Sequence, residues 1–548
     1  MKSATSLILL IFSYILYAQS PYTNIQIRNV SYGEVSIEIN PKNTNQLVAG
    51  CNIDLVSYST NGGLTWTNGT ITNPTYGVWG DPVIVADTSG HFYYLHLAKN
   101  PALGWPYYLD RIVIQKSTNA GQSWSNPGSY MGHIPPKQQD KEWMAVDFTH
   151  GSRGNWLYST WTQFDYYNSN NTNDSSQILF SRSTDGGNIW TTALRINKLA
   201  GNCKDGDYTV EGATPSVGPN GELYVAWAGP QGTNNFKIFF DKSTDGGNTW
   251  LANDIVVASQ PGGWAYNIAG IDRSNGLPFT ACDYSNGPYR GYVYINWTDS
   301  LAPGDHDVKF VRSTNGGLNW STPLRVNNDG PGKEQFLTAM TVDQVTGHIY
   351  IIFYDRRNYS DNQTDVYMAR STNGGVSFTN ERISASPFTP SSAVFFGDYI
   401  DVTAHNGKIR PIWQRNQSGT QSIWTAIIDF PVGITHQNTE IPENYALFQN
   451  YPNPFNPVTK IKFNISPLPG GVSRHEMSGQ GGFVRLIVYD LLGREAATLV
   501  NELLQPGTYE INWDASNHPS GVYYYKLNVL NSDAAVIFSQ IKRMVLVK

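Results

Sequence analysis

The sequence predicts an all-β chain: a seven-bladed β-propeller, with six blades as the alternative count, followed by a small β-sandwich. Three observations predict it. An octapeptide turn recurs six times at near-constant spacing, three strand-like segments precede each copy, and after about residue 440 the chain changes to short alternating strands with Gly and Pro turns.

The octapeptide reads STNGGLTW from Ser59, STNAGQSW from Ser117, STDGGNIW from Ser183, STDGGNTW from Ser243, STNGGLNW from Ser313 and STNGGVSF from Ser371. Its chemistry is that of a hairpin turn. Asn and Asp accept backbone hydrogen bonds, and the glycines supply positive φ without steric cost. The closing aromatics (Trp66, Trp124, Trp190, Trp250, Trp320 and Phe378) are expected between neighbouring sheets. These residues hold a fold and perform no catalysis.

Each turn follows a short alternating strand, such as IVIQKS, ILFSRS or VKFVRS. Before it lies an aromatic, β-branched strand, such as HFYYLHLA, NWLYSTWTQ or HIYIIFYD. Before that again is a strand ending near Gly, such as DPVIVADTSG, WMAVDFTHG, ATPSVGPNG or NIAGIDRSNG. Each unit therefore reads as strands A to D with the octapeptide as the C–D turn. A seventh set (YIDVTAHNG, KIRPIWQR, SIWTAIIDF) lacks an octapeptide and a D strand. The orphan strand NIQIRNV, Asn24 to Val30, is expected to supply that strand and close the ring, which removes exposed sheet edges.

Strand alternation places A-strand starts and B-strand ends on one face and the octapeptides on the other. Asp81, Asp140, Glu142, Glu211, Glu334, Asp398 and Tyr399 lie near A-strand starts; Trp227, Arg356 and Arg357 lie near B-strand ends. The longest B–C insertions, Asn100 to Asp110 and Asp165 to Ser176, fall on the same face. Paired carboxylates suit acid/base work on a glycosidic bond, and arginine forks suit an acidic group. The recurring Trp161, Trp227, Trp297 and Trp413 suit core packing as well as a sugar platform.

Charged residues make up 15% of the chain and the formal net charge is −6. No basic stripe is present, so nucleic acid is not an expected partner. Cys51, Cys203 and Cys282 form neither a CxxC pair nor a disulfide framework, and no metal or other cofactor is expected. Lys2 and the apolar run Leu7 to Tyr17 read as a signal peptide, residues 1–18, with a short membrane anchor as the alternative; no later stretch is long enough to span a bilayer.

The six octapeptides resemble the BNR/Asp-box repeats of the sialidase superfamily over about residues 22–430. The resemblance implies a secreted, exo-α-sialidase-like glycoside hydrolase acting on an extracellular glycan or glycoprotein. Non-catalytic glycan- or protein-binding propellers carry the same repeats and give the alternative. Glu211, leading into ATPSVGPNG, is similar in placement to the family's glutamate, and Tyr399 in GDYIDVTAHNG to its tyrosine nucleophile, with Asp398 as a rival and Asp81 as a further catalytic acid. Arg356, Arg357, Asp140, Glu142, Glu334 and Trp227 are the expected substrate contacts. The Phe/Tyr-Arg-Ile-Pro motif that supplies the family's first arginine is absent, and Arg28 in IQIRNVS is its nearest stand-in.

Residues 431–445 read as a linker and residues 446–548 as a β-sandwich, with Ser466 to Gly482 as a Gly/Ser/Pro-rich loop. Tyr451-Pro452-Asn453-Pro454-Phe455-Asn456-Pro457, Val488-Tyr489-Asp490, Gly493-Arg494, Gly521-Val522-Tyr523 and the basic tail resemble the type A sorting domain of type IX secretion. That resemblance implies the type IX machinery as a partner and release, or attachment, at the outer surface of a Bacteroidota-type bacterium.

Overall fold

A computed structural model describes residues 20–548 apart from 101, 150, 303, 431–434, 439–441, 468–481, 505, 516–517 and 532–534. The signal-peptide reading, most of the 466–482 loop and much of the 431–445 linker lie outside the described residues.

Seven four-stranded antiparallel sheets form the propeller. Their innermost strands are Val35–Ile39, Gly80–Ala86, Gln138–Val146, Glu211–Val217, Phe279–Cys282, Gln335–Asp343 and Asp401–His405, which we number as blades one to seven. The ring closes as the sequence requires. Thr23–Val30 pairs antiparallel with Thr420–Asp429, from Thr23 opposite Ile427 to Val30 opposite Gln421, with one bulge between Gln26 and Arg28. The chain end thus supplies the outer strand of blade seven, and no octapeptide is needed there.

One element differs from expectation. In blade five the segment NIAGIDRSNG does not form the inner strand; Phe279–Cys282 does. The segment instead loops out after the short strand Ala265–Tyr266 and returns as Ser274–Asn275, which pairs with it. It is an insertion within the longest interval between octapeptides, and it carries residues to the axial mouth.

All six octapeptides adopt one hydrogen-bonded form. The Ser hydroxyl accepts from the second glycine's N–H in every copy, from 2.8 Å at Ser243 to 3.0 Å at Ser371. The Asn or Asp side chain accepts from the N–H four residues on, at 2.9 Å in Asp245 and 3.1 Å in Asn373. The closing aromatic then reaches the preceding blade: Trp250 meets Phe180 edge-on at 5.0 Å, Trp320 meets Phe240 at 5.1 Å, and Phe378 meets Phe310 at 5.0 Å. The same phenylalanines explain the second glycine. A Cβ at Gly317 would lie 2.3 Å from the Phe240 ring, so the site needs glycine for space as well as for its φ of 83°.

Two further four-stranded sheets, containing Val458–Ile465 and Gly482–Tyr489 respectively, form the C-terminal β-sandwich. Phe455, Ile461, Phe463, Leu486, Val488, Trp513, Tyr525 and Leu527 fill its core. Thr435–Asn438, inside the expected linker, adds an edge strand beside Gly507–Asp514.

Gly317→Ala should cost about 3 kcal/mol in denaturant unfolding, from overpacking added to a left-handed φ. Gly316→Ala, whose added Cβ would meet nothing closer than 3.4 Å, should cost about 1 kcal/mol. Equal costs at the two positions would contradict the close inter-blade contact.

Candidate functional site at the axial mouth

The site is built by a repeated backbone irregularity. Blades two, three, four and six each carry a β-bulge at the start of the inner strand, between Gly80 and Val83, Asp140 and Trp143, Glu211 and Thr214, and Phe336 and Ala339. Two residues there oppose one on the next strand. The first bulged residue is left-handed in each: Asp81 (φ 53°), Lys141 (52°), Gly212 (71°) and Leu337 (47°). Only one is glycine, and a left-handed non-glycine residue costs roughly 1–2 kcal/mol. Such bulges re-aim side chains and concentrate beside functional sites. Here they break the in–out alternation at the end of the channel, so that consecutive polar residues reach its mouth.

Trp161 and Trp227 are the single residues opposite two of these bulges. This corrects the expectation that Trp227 contacts substrate. It is 1% exposed and stacks on Phe239 at 6.0 Å in the inter-blade core. Trp161, Trp297 and Trp413 are equally enclosed.

Lys141 stands at the centre of the mouth. Its ammonium lies 2.5 Å from Asp398 Oδ2, 3.3 Å from Glu34 Oε1 and 3.6 Å from Asp81 Oδ2. Arg273, from the blade-five insertion, grips both oxygens of Asp398, with Nε donating to Oδ1 at 2.8 Å. It also reaches Asp205 Oδ2 at 3.8 Å. Asn52 donates to Glu34 and accepts from the Asp81 N–H at 2.8 Å. Asn275 donates to the Asp398 carbonyl at 2.8 Å.

The surrounding carboxyls fall into two electrostatic kinds. Burial alone would raise Asp398, but Lys141 and Arg273 outweigh it and hold the carboxyl far below its ordinary value. Asp140 is pushed up to about 8 by burial and by Asp81. Burial, with Asp81, raises Glu142 and Glu34 as well, and burial, with Asp205 and Asp140, raises Glu211. Both oxygens of Glu142, Oδ2 of Asp81 and Oε2 of Glu211 have no hydrogen-bond partner among the described residues.

Asp81, Lys141, Glu142, Asp398 and Tyr399 line one cavity of about 40 Å³. Its floor is aromatic: Trp143 meets Phe279 edge-on at 5.1 Å and Tyr399 at 5.7 Å. Trp143 and Phe279 also border a larger cavity of about 560 Å³ further along the axis, lined by Glu38, Asp401 and Thr403 among others. The Tyr399 hydroxyl donates to the Pro82 carbonyl at 3.3 Å. Burial, then Asp81, Glu34 and Glu142, raise its pKa well above the ordinary value and keep it a neutral phenol.

The structure thus brings together Asp81, Glu142, Asp398 and Tyr399, with Asp140 and Glu211 in their electrostatic field. It places the other three expected contacts elsewhere. Arg356 spends its donors on Glu334 at 2.5 Å, Thr364 Oγ1 at 3.0 Å and the Ala269 carbonyl at 2.7 Å. Arg356 and Glu334 therefore brace the insertion that carries Arg273. Arg357 is bound to Asp355, Asn328 and Asn380. Arg28 donates to the Val56 and Gly69 carbonyls, also outside the mouth.

Sequence reasoning missed Glu34, Lys141, Asp205 and Arg273. Glu34 opens the strand EVSIEINP, the same register as the acids that were found. Lys141 lies between two of them. Arg273 sits in the longest interval between octapeptides.

The raised carboxyls fix a sign for stability against pH. Asp140 titrates near 8 in the folded chain and near 4 unfolded. The folded state therefore binds more protons between those values, and stability falls as pH rises through the window. Glu38, pushed up to about 8 by burial, acts the same way. His96 and His348, held low by burial, are already neutral above pH 6.5. Tm should fall from pH 6.5 to 8, and Asp140→Asn should flatten that fall. A Tm that is flat or rises in the wild type would contradict the assignment.

No protein-family model matches the chain, and no curated protein matches it. Among solved structures, the chain is similar to a protein of unknown function from Dyadobacter fermentans DSM 18053, with 12% identity over 74% of this chain and 99% of that one, and a TM-score of 0.44. It is similar to the Hadza microbial sialidase Hz136, with 14% identity over 71% and 75% of the two chains and a TM-score of 0.41. It is also similar to a PL25 ulvan lyase, with 12% identity over 74% and 96% and a TM-score of 0.48.

Proposed function

We propose that the propeller is a glycoside hydrolase that cleaves extracellular glycans at the axial mouth, with Glu142 as general acid and Asp81 as the carboxylate base. The observation that carries this reading is the separation of carboxyl environments within one small cavity. Burial, then Asp81, raise the Glu142 carboxyl well above its ordinary value, and both its oxygens are unspent among the described residues. Asp398 is kept ionised by Lys141 and Arg273. Pairs of titratable groups pushed apart in this way supply an acid and an anion at one pH.

In the proposed step Glu142 gives its proton to the leaving glycosidic oxygen. Asp81 takes a proton from the attacking water. The anion of Asp398 stabilises the positive charge that develops on the sugar ring, and Lys141 limits how negative the mouth becomes. Tyr399 remains the rival nucleophile, with Asp81 receiving its proton. Lys141 and Arg273 are both committed to Asp398. A carboxylate-bearing sugar would have to break that cluster, so neutral glycosides are favoured over sialosides.

The narrowness of the cavity favours a second reading, a propeller that binds glycans without cleaving them. A screen of aryl glycosides, sialosides included, separates the two. The hydrolase reading expects turnover of a neutral glycoside that drops about 100-fold or more in Glu142→Gln and Asp81→Asn, with Tm retained. Absence of turnover on every member, or full activity in both variants, would sink it.

Export through the N-terminal segment and the type IX machinery belongs to the same proposal, supported by the sequence resemblance alone. Expression in a type IX-competent host should place the full chain outside the cell. A chain lacking residues 446–548 should stay behind; if it is exported equally well, the tag reading fails.

A further inference from the structure

The two long B–C loops that open onto the mouth carry an unusual density of rings. Trp105, Tyr107 and Tyr108 come from the blade-two loop, Tyr166 and Tyr167 from the blade-three loop, and Trp79 from the segment leading into the blade-two inner strand. Trp105 lies 5.4 Å from Tyr108, 5.4 Å from Tyr167 and 6.4 Å from Trp79. Tyr107 meets Tyr166 edge-on at 5.6 Å, and their hydroxyls are 3.0 Å apart. Three of these rings are open to solvent: Trp105 is 54% exposed, Tyr107 40% and Tyr166 39%. Nothing in the fold requires such exposure, since the blade cores are closed by other aromatics.

The ring cluster is continuous with the axial mouth. The Tyr167 hydroxyl donates to Asp205 Oδ2 at 2.5 Å. Asp205 faces Arg273, which holds Asp398. A ligand seated at the mouth therefore meets the rings as its next surface.

We propose that this aromatic shelf is a carbohydrate-binding surface, and that it seats the neighbouring units of a neutral polysaccharide chain whose scissile unit occupies the mouth. The chemistry selects the occupant. Exposed indole and phenol faces pack against the C–H faces of pyranose rings, while the Tyr107–Tyr166 hydroxyl pair and the exposed amides of Asn168, Asn170 and Asn173 on the same blade-three loop can bond ring hydroxyls. An apolar protein partner would cover the exposed side-chain amides of Asn168, Asn170 and Asn173 without offering them a polar partner. An anionic chain would approach the carboxylates of the mouth. The inference rests on the glycan reading above and extends it from a single glycoside to a polymer.

Affinity electrophoresis of the full chain tests it, using gels that contain hydroxyethylcellulose, arabinoxylan, galactomannan or laminarin as neutral polymers and alginate or heparin as anionic ones. At least one neutral polymer should retard the protein. Trp105→Ala, an exposed-loop change, should weaken that retardation about tenfold. A hexasaccharide of the same polymer should compete at a concentration at least tenfold lower than its monosaccharide. Retardation by no neutral polymer, by anionic polymers alone, or equally in Trp105→Ala would overturn the proposal. Its failure is distinct from failure of the hydrolase reading: turnover of an aryl glycoside without retardation removes the shelf alone, and retardation without turnover removes the hydrolase alone.

Discussion

The ion cluster of Lys141, Arg273 and Asp398 holds the axial mouth together. Asp398 leads into blade seven, Lys141 comes from a bulge in blade three, and Arg273 comes from the insertion before blade five. Glu34 and Asp81 add blades one and two through Lys141. Two cations gathered around one buried carboxylate can exist only as a set. Removing one partner of a buried pair such as Lys141 and Asp398 typically costs about 3–5 kcal/mol, because the other charge is left uncompensated, and the half-exposed Arg273 contributes less because water screens it. The same cluster sets the chemistry, since it holds the Asp398 carboxyl far below its ordinary value while burial raises Asp140, Glu142 and Glu211.

The fold makes that cluster possible by two separate devices on opposite faces. On one face, the octapeptide turns fix the spacing between blades through a Ser–Gly hydrogen bond and an aromatic seated on the preceding blade. On the other, the bulges give up regular pairing and accept left-handed backbone at Asp81, Lys141 and Leu337. Structural regularity and local strain are thus segregated along the axis, and the polar residues gather at the strained end.

Much of this was legible in the chain because repetition amplifies a weak local signal. Six of the seven inner strands, the octapeptide form and the closing role of Thr23–Val30 follow from a pattern read six times over. The mouth was legible in part. Acids at equivalent strand starts led to Asp81, Glu142 and Asp398, because topology alone puts those positions together. Trp227 and the arginines at 356 and 357 were misplaced for a physical reason. A strand position specifies which end of a blade a residue occupies, but not whether its side chain points to the axis or into the gap between sheets. Arg273 was hidden because an insertion breaks the repeat that made everything else readable.

The most direct test of the account is a crystal structure of the Asp81→Asn variant with a bound oligosaccharide of the polymer that retards the protein. The account predicts a glycosidic oxygen within hydrogen-bond reach of the Glu142 carboxyl, with the chain running over Trp105 and Tyr167. A sugar bound on the octapeptide face, or in the larger axial cavity with Glu142 untouched, would contradict it.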